Sequence, residues 1–384
     1  MPSPMIVPQS FEQDQAAFLP DYLWDEIVSD GEDPLLSVFP FSYTDAAAVK
    51  WDQENDPYGL IPLRGVDTAP TLVKMPSPKT YEAAPGFYGL LTQLRESEII
   101  MERQPNTIAD PLDIQDRASK LVLYASTMMV SRFRQTAGDL LINGEFTNVN
   151  ASGELTHHYK VDDYQTFSPA NDGDTGPGWA ADPANADPIG DLKYWQTKKL
   201  QRGTSADFGP KSKILCNPNV ILDIWKCASV RSAFKSKFGS SVLMGESPKL
   251  DGDQGLNALL IGMGLPPLVE YRKGAFLTLA EAISGDPDDF TYALEDNSLA
   301  WIGVRPKGQL NGSMKLTRNA GLVSPAVHYD TVSFANEQKA ELAQGIYVRC
   351  HYIDRIPHHY DIEMSVNACP ILYYRRSTAG ITYT

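Results

Sequence analysis

The sequence predicts an α+β fold in an elongated subunit, and three observations support that prediction. One amphipathic stretch is long enough for a helix of roughly 33 residues, about three times the usual length. Several shorter segments alternate apolar and polar residues as β-strands do. About a hundred residues at the N-terminus carry apolar side chains, but frequent prolines prevent them from forming a compact core of their own.

The overall composition is that of a globular protein. The chain has 384 residues, of which 42% are hydrophobic and 21% charged, enough for two or three domains. It contains no apolar run near the ~20 residues of a membrane helix, and its start lacks the features of a signal peptide, so we expect folding in a cytoplasm. A formal net charge of −15 argues against a protein that grips nucleic acid, because phosphate contacts need clustered Lys and Arg.

Residues 1–50 have the character of an arm. The first 49 residues contain nine acidic residues and no Lys or Arg. Prolines interrupt the segment, yet it carries Phe11, Phe18, Trp24 and Phe39, and a disordered tail is usually poor in such residues. Without interleaved basic residues, these aromatic side chains make a poor platform for stacking nucleic-acid bases. We therefore predict that they dock onto another subunit.

Residues 51–108 are predicted to form a second extended segment, a long hairpin-like loop that projects from the rest of the subunit. Between residues 60 and 81 it bears Arg64, Lys74 and Lys79 against Asp67 alone, so it is net positive beside a strongly negative arm. We expect these three cations to take part in contacts between subunits. Exposed ion pairs contribute only ~0–1 kcal/mol each. Charge would therefore select the register in which the arm and the loop meet, while apolar contacts would stabilise the interface.

The energetic cost of ordering these two segments points to a large assembly. About a hundred residues cost on the order of 100 kcal/mol to order, at ~1 kcal/mol or more per residue. At ~25 cal/mol per Å², burial alone must remove thousands of Å² of apolar surface from water to offset that cost. One small dimer interface cannot supply so much, so we expect each subunit to be clasped by several neighbours.

The clearest single element is a long helix predicted at residues 110–143. Asp110-Pro111 supplies an N-cap with proline at the first helical position, and Asn143-Gly144 supplies the stop. A helix of this size is about 50 Å long, which suits a flat, elongated subunit. Its apolar side chains recur mostly three and four residues apart, and those expected on the buried side are Ile114, Leu121, Ala125, Met128 and Phe133.

Shorter elements follow. Leu155–Phe167 reads as a strand, and Asn171–Asp191 as a long loop rich in Gly, Pro and Asp. Lys213–Cys216 is a strand that enters a helix through Asn217-Pro218. That helix is expected to place one apolar stripe against the core, made of Val220, Ile221, Ile224, Trp225 and Ala228.

Two strands are predicted near the C-terminus, at Ile346–Ile356 and Tyr360–Ala368. In the second strand, apolar residues from Tyr360 to Ala368 alternate with polar ones from His359 to Asn367. This alternation predicts one buried face and one solvated face.

The motifs that usually carry chemistry are incomplete in this sequence. Gly262-Met263-Gly264 lacks the third glycine of a dinucleotide loop and is followed by prolines. The triplets beginning at His157 and His358 each lie on a predicted strand, where neighbouring histidines point to opposite faces. Acidic turns near Asp172, Asp251 and Asp286 lack the full ligand series of a calcium loop. The four cysteines are widely spaced, so we predict that they are buried free thiols. Because the other motifs are incomplete, we predict no catalytic residue, no metal site and no cofactor.

The order of these elements resembles the Hong Kong 97-like capsid fold, and more specifically the lambda-type major capsid protein family (capsid protein E). The resemblance covers residues 60–375 approximately and rests on short motifs in a fixed order. They are NTIADP at Asn106–Pro111, KILCNPNVILDIWKCASVRSAF at Lys213–Phe234, LEDNSLAWIGV at Leu294–Val304, GIYVR at Gly345–Arg349 and MSVNACPIL at Met364–Leu372. No Lys/Asn motif for covalent cross-linking between subunits stands out.

The resemblance implies a domain organisation. It divides the chain into an N-terminal arm at 1–50, an extended loop at 51–108, a peripheral domain at 109–212 with the spine helix at 110–143, an axial domain at 213–344, and C-terminal strands at 345–384 that return to the peripheral domain.

The resemblance also implies a function. The chain would be the major capsid protein that assembles, as hexamers and pentamers, into the icosahedral head shell around the double-stranded DNA of a tailed bacteriophage. It would be a virion component assembled in the host cytoplasm, with no enzymatic activity, no membrane partner and no sequence-specific contact with the DNA. Its partners would be other copies of itself, decoration or scaffolding proteins, and the portal.

Two alternatives remain open at this point. An encapsulin-type nanocompartment shell has the same fold but packages enzymes instead of a genome. A soluble α/β enzyme with an unrecognised site would be a compact monomer or dimer.

Overall fold

The computed structural model describes residues 33–44, 48–53, 79–95, 114–149, 155–169, 178–200, 206–239, 250, 252, 255–276, 286, 290–305, 309–317, 346–353 and 359–383. Within these ranges there are five α-helices, a 3₁₀ turn at Leu36–Val38 and a π-helical turn at Gln196–Leu200. The helices are α1 (Ile114–Asn143), α2 (Pro188–Trp195), α3 (Pro218–Lys226), α4 (Ala228–Phe238) and α5 (Leu256–Gly262).

The same ranges contain sixteen β-strands, and the mixed helix and strand content confirms the predicted α+β class. They are β1 (Phe41–Thr44), β2 (Val49–Gln53), β3 (Lys79–Ala83), β4 (Gly86–Arg95), β5 (Glu145–Val149), β6 (Leu155–Lys160), β7 (Gln165–Phe167), β8 (Lys213–Cys216), β9 (Leu268–Glu270), β10 (Gly274–Phe276), β11 (Phe290–Tyr292), β12 (Ser298–Ile302), β13 (Gly312–Thr317), β14 (Ile346–Ile353), β15 (His359–Leu372) and β16 (Thr378–Thr382).

Helix α1 is the long helix that the periodicity predicts. Its 30 residues span about 45 Å, and Gly144 ends it with a φ of 70°. Ala125 and Phe133 are buried, while Leu121 and Met128 are half-buried. The predicted start at Asp110-Pro111 and the side chain of Ile114 lie outside the described residues.

The first sheet is built around β15. β4 pairs with one edge of β15, while β13 and β14 pair with successive parts of the other edge, and β1 lies beyond β13. Thr317 at the end of β13 is opposite Asn367, and Ile346 at the start of β14 is opposite Val366. β13 and β14 therefore lie in one line with consecutive register, although residues 318–345 separate them in sequence.

The second sheet has the order β7-β16-β12-β8-β9 and a separate core. β12 is its central strand, with all five residues buried, and helices α2 to α5 contribute to the same core. The predicted helix start at Asn217 is confirmed, because the Asn217 side chain accepts a hydrogen bond of 3.0 Å from the Val220 amide. The largest buried side chains of this core are Trp179, Trp195 and Trp301.

Helix α1 joins the two sheets. It contacts β4 and β15 of the first sheet and β12 and β16 of the second. Near its middle, Phe133 packs edge-on against Tyr88 of β4. Near its C-terminal end the approach to β16 is so close that a Cβ at Gly380 would collide with the Ile142 carbonyl. The helix thus packs against both sheets and connects the two cores.

Three local predictions need correction. Leu155–Phe167 is two strands, because a turn with Asp163 at a φ of 52° sends β6 to pair with β5 and β7 to pair with β16. The predicted loop at 171–191 ends early, since helix α2 begins at Pro188. The helix that begins at Pro218 ends at Lys226, and Cys227 in extended geometry separates it from α4.

The predicted segment boundaries also differ from the packing. Leu35, Phe39 and Val49 of the predicted arm are buried in the first core, so that core begins before residue 50. Trp195, from the predicted segment 109–212, lies in the second core, whereas Met314, from 213–344, lies in the first. The chain passes between the cores several times because strands that are distant in sequence pair with one another.

Candidate inter-subunit surface

Three cysteine thiols of the described residues are buried and protonated. Cys216, Cys227 and Cys369 are free thiols in the interior. Burial raises the pKa of the Cys227 thiol to about 11 and of the Cys369 thiol to about 12, and it raises the pKa of Cys216 further still. A thiol with a raised pKa and no solvent access is a poor nucleophile and a poor metal ligand.

The described ranges contain neither a candidate metal site nor a candidate membrane span. They bring together no set of three His, Cys, Asp or Glu side chains able to hold a metal ion. None of the helices in those ranges is both long and apolar enough to cross a membrane.

Strand β4 presents an open edge. It pairs along one side with β15, and the described residues place no strand on its other side. Its side chains alternate strictly, and those of Phe87 and Leu91 on the outer face are 75% and 58% exposed. A long edge strand with exposed apolar side chains is a template for pairing with another chain.

A groove of about 270 Å³ lies beneath that edge, between β4, helix α1 and the β5–β6 hairpin. Its wall is largely apolar, and Arg132 contributes a guanidinium group. The helix supplies its residues at a spacing of three and four, so one stripe of α1 forms the floor. Those residues are Ala125, Met128, Met129 and Arg132.

The closed end of the groove is polar. The Asn148 amide donates a hydrogen bond of 3.0 Å to Tyr88 Oη, which lies 3.2 Å from His157 Nδ1. His157 is 5% exposed, and its Nε2 atom has no hydrogen-bond partner among the described residues. Burial lowers the pKa of His157, the carbonyl of Ala84 opposes this effect, and His158 adds to it. The imidazole is therefore neutral near pH 7.

Burial raises the pKa of Tyr88 to about 12, so its phenol also stays neutral. Gly86 is needed beside this pair, because a Cβ at that position would collide with the His157 ring.

An ionic anchor holds the chain where the N-terminal segment enters the fold. The Asp33 carboxylate is 1% exposed and accepts from Arg134 Nε at 2.9 Å and from Tyr271 Oη at 3.2 Å. Lys273 Nζ lies 3.4 Å from the same oxygen. Helix α1 and the loop after β9 are thereby tied to residue 33.

Of the residues predicted to contact other subunits, only Phe39 has a side chain among the described residues. Phe39 is fully buried in the core of its own chain, where its ring lies against Gly312 of β13, so its prediction as an inter-subunit contact is corrected. Lys79 begins β3 opposite Gln53. The side chain of Lys79 lies outside the described residues, as do the other predicted contacts, Phe11, Phe18, Trp24, Arg64 and Lys74.

Sequence reasoning did not find the anchor or the groove. Asp33 is one of the nine acidic residues among the first 49, and its position before Pro34-Leu35-Leu36 is a local signal for a turn. Its second carboxylate oxygen accepts from the Leu35 and Leu36 amides at 3.0 and 3.3 Å, a turn for which Asp is favoured. The partners of Asp33 and the groove depend on long-range packing, which has no local signal.

Three solved structures resemble this fold. A phage-related protein of Bordetella bronchiseptica RB50 superposes with a TM-score of 0.51 at 10% identity, covering 94% of this chain and 96% of that chain. A candidate capsid protein of a prophage from Escherichia coli CFT073 gives 0.49 at 14% identity, covering 91% and 92%. The holo-SrpI encapsulin complex of Synechococcus elongatus PCC 7942 gives 0.40 at 12% identity, covering 91% and 86%. No protein-family model matches the chain, and no curated protein sequence does.

The likeness to the Bordetella protein supports a statement about fold, since its TM-score is above 0.5 and it extends over nearly the whole of both chains. The long helix, the two sheets and their connections are therefore those of a known architecture. This chain has the fold of that phage-related protein.

Proposed function

We propose that this chain is the major capsid protein of a tailed double-stranded DNA bacteriophage and that copies of it assemble into the icosahedral head shell. The observation that carries the proposal is a fold shared along almost the full chain with a phage-related protein. The order of short motifs resembling the lambda-type capsid family supports the same function. A subunit whose two cores are joined by one ~45 Å helix suits tiling of a thin shell.

The proposed function includes a Hong Kong 97-like organisation, in which each core would be one domain. The first core, with α1 as spine helix and the β4–β15–β13/β14 sheet, corresponds to the peripheral domain. The second core, with its five-stranded sheet and helices α2 to α5, corresponds to the axial domain. In this proposal the extended loop at 51–108 would include β3 and β4, and the arm would be residues 1–50.

The net charge of −15 fits a wall around DNA. An acidic inner surface repels phosphates, so packaged DNA can slide during filling and release. The shell encloses the genome without reading its sequence, and the subunit acts as a structural protein, not as an enzyme.

Sedimentation velocity of the purified chain tests the proposal. Species far heavier than the 42.4 kDa monomer, corresponding to hexamers, pentamers and shells, are expected. A single monomeric or dimeric species at all protein and salt concentrations would contradict the proposal and favour the soluble-enzyme alternative.

The content of particles separates a phage head from an encapsulin-type compartment. Particles recovered from cells that carry the surrounding genes should protect double-stranded DNA of one defined length from nuclease. Particles that instead contain a co-purifying enzyme and no protected DNA would favour the nanocompartment.

A further inference from the structure

Two segments of this acidic chain carry positive charge without any acidic residue. Residues 297–329 and 364–384 contain six Lys or Arg and no Asp or Glu, whereas the chain as a whole has a net charge of −15. The described parts of the two segments form β12, β13, β15 and β16, and β12 pairs with β16 while β13 pairs with β15. The fold therefore brings the two segments together. Their cations are Arg305, Lys307, Lys315, Arg318, Arg375 and Arg376.

The turn after β15 lies against the connection between β12 and β13. The Tyr373 amide donates a hydrogen bond of 3.0 Å to the Asn311 carbonyl, and the Gly303 amide donates one of 2.9 Å to the Ser377 carbonyl. The Asn311 side-chain amide also donates to the Gly303 carbonyl at 3.0 Å. These hydrogen bonds fix the two loops relative to each other.

Three arginines are grouped where these loops meet, and we call Arg305, Tyr374, Arg375 and Arg376 the arginine turn. The Arg305 guanidinium lies 3.4 Å from the centroid of the Tyr374 ring, a cation–π contact that orients both groups. Arg376 is exposed. Arg375 Nη1 lies 2.9 Å from the carboxylate of Asp163, which is 74% exposed. The arginine turn is thus a local concentration of positive charge in a negatively charged chain.

The chemistry of the arginine turn favours a phosphate backbone as its partner. A guanidinium group presents a planar set of donors that matches two phosphate oxygens, and it is less strongly hydrated than an ammonium group. Its orientation is partly fixed before binding, so less conformational entropy is lost when a phosphate arrives. Because the arginine turn belongs to two loops and not to a helix that could enter the major groove, it would contact the backbone without reading the bases.

We propose that the arginine turn binds the phosphate backbone of duplex DNA. This inference rests on the proposed function and deepens it, because it names the part of the subunit that would touch the packaged genome. The rest of the chain is acidic, so each subunit would hold the DNA at about two or three phosphates and repel it elsewhere. Contacts of this kind are weak and nonspecific, and the DNA can still move during filling and release.

Fluorescence anisotropy of a short labelled duplex, titrated with the full-length chain, tests the inference. Neutralisation of about three phosphates predicts a slope of about −2.7 for the logarithm of the binding constant against the logarithm of the salt concentration. Binding should therefore weaken about 40-fold between about 50 and 200 mM salt. Undetectable binding at the lower salt concentration, or binding that does not change with salt, would overturn the inference.

Variants of the exposed arginine locate the contact. Arg376→Gln should lower the affinity about fivefold and make the slope less negative by about 0.9, whereas Arg376→Lys keeps the charge and should restore most of the affinity. Arg272→Gln is the matched control, because Arg272 is also exposed and pairs with a carboxylate, that of Glu270. The control should change neither the affinity nor the slope. Equal losses in Arg376→Gln and Arg272→Gln would show that the DNA responds only to net charge and would contradict the inference.

Competition identifies the class of anion. Inorganic polyphosphate should displace the duplex. Poly-glutamate carries at most about one charge per 3.3 Å, half the density of duplex DNA at about 1.7 Å, so it should displace the duplex less well at the same concentration of charge. Equal displacement by poly-glutamate would indicate an acceptor for acidic polypeptides and overturn the assignment to DNA.

The same samples separate this inference from the proposed function, because sedimentation reports whether large assemblies form. Shells from a parent chain that does not bind the duplex would reject the arginine turn as a DNA contact and leave the capsid function standing. Salt-dependent binding that Arg376→Gln weakens, in a chain that never assembles, would retain the DNA contact and reject the capsid function.

Discussion

At the residue scale, Asp33 ties residue 33 to helix α1 and to the loop after β9. Its carboxylate is enclosed by one guanidinium, one ammonium and one phenol, from residues that lie on α1 and after β9. A buried carboxylate of this kind is stable only while its partners remain charged and in place. The position of residue 33 is therefore coupled to the packing of helix α1.

Replacing Asp33 by Asn removes the charge but keeps nearly the same shape. Arg134 would then be left largely buried opposite a neutral group, so we expect the free energy of unfolding in urea to fall by about 3 kcal/mol. Asp163→Asn is the matched control, because the Asp163 carboxylate also pairs with an arginine, Arg375, but is 74% exposed. The control should lose at most ~1 kcal/mol. Equal losses in the two variants would show that burial of the anchor is unimportant.

Asp139 on α1 gives a pH-dependent prediction. Burial and, to a smaller extent, nearby Glu295 raise the pKa of Asp139 to about 7, although Arg132 opposes both. Because an unfolded Asp titrates near ~3.9, the native state holds this proton more tightly, and that contribution to stability is lost as the pH rises from about 4 to about 7. Asp139→Asn lacks this titration, so its stability relative to the parent chain should increase between pH 4 and pH 8. Thermal unfolding at both pH values measures the change, and a difference that does not vary with pH would refute the assignment.

The partners of Asp33 could not be predicted from the sequence. Arg134 is 101 residues from Asp33, and Tyr271 is 238 residues away. Local spacing carries no information on such pairs, because they meet only when both sheets have packed on α1. The Asn217 cap was predictable because its acceptor and its donor are three residues apart.

At the element scale, helix α1 supports both cores. A proline inside it removes a backbone hydrogen bond and clashes with the preceding turn, at a cost of ~3 kcal/mol or more. Ala125→Pro, at a buried position facing the groove and the first sheet, should therefore destabilise the chain and abolish assembly, as measured by unfolding in urea and by sedimentation. Tyr124→Ala, at the neighbouring exposed position, should retain both. Normal particles from Ala125→Pro would mean that α1 is not the spine of the subunit.

The line formed by β13 and β14 allows a deletion to be designed from register alone. Thr317 and Ile346 face consecutive residues of β15, so removing residues 318–345 should join them into one continuous strand. We expect a folded protein with cooperative unfolding. Removing residues 318–346 is the matched control, since one further residue shifts the register and turns every following side chain of β14 to the opposite face. Similar stability of the two deletion variants would contradict the observed alignment.

Prediction succeeded where the signal is local and failed where it is not. Helix α1, β8 and the start of α3 follow from periodicity and caps contained within each segment. The break in Leu155–Phe167 was missed because strand-like residues lie on both sides of Asp162-Asp163, and the positive φ of Asp163 became evident only in the structure. The alignment of β13 with β14 could not be derived, because the two strands share a partner but no sequence pattern.

At the scale of the whole molecule, two cores on one helix leave long surfaces available to other copies. The first core presents the edge of β4 and the groove between β4 and helix α1. The division of the chain into arm, loop, peripheral and axial parts followed from a resemblance. That division stays a prediction, and each core draws residues from several of the parts: Phe39 packs in the first core and Trp195 in the second. The α+β class of the subunit could therefore be predicted from the sequence. Which residues belong to each core becomes evident only from the packing.

The most direct test of the central claim is cryo-electron microscopy of the purified chain at high concentration. The proposed function predicts closed icosahedral shells, or pentameric and hexameric rings that convert to shells, in which α1 of each subunit lies along the shell wall. A field of uniform monomers or dimers under every salt condition, with no rings and no shells, would contradict the claim that this chain builds a capsid.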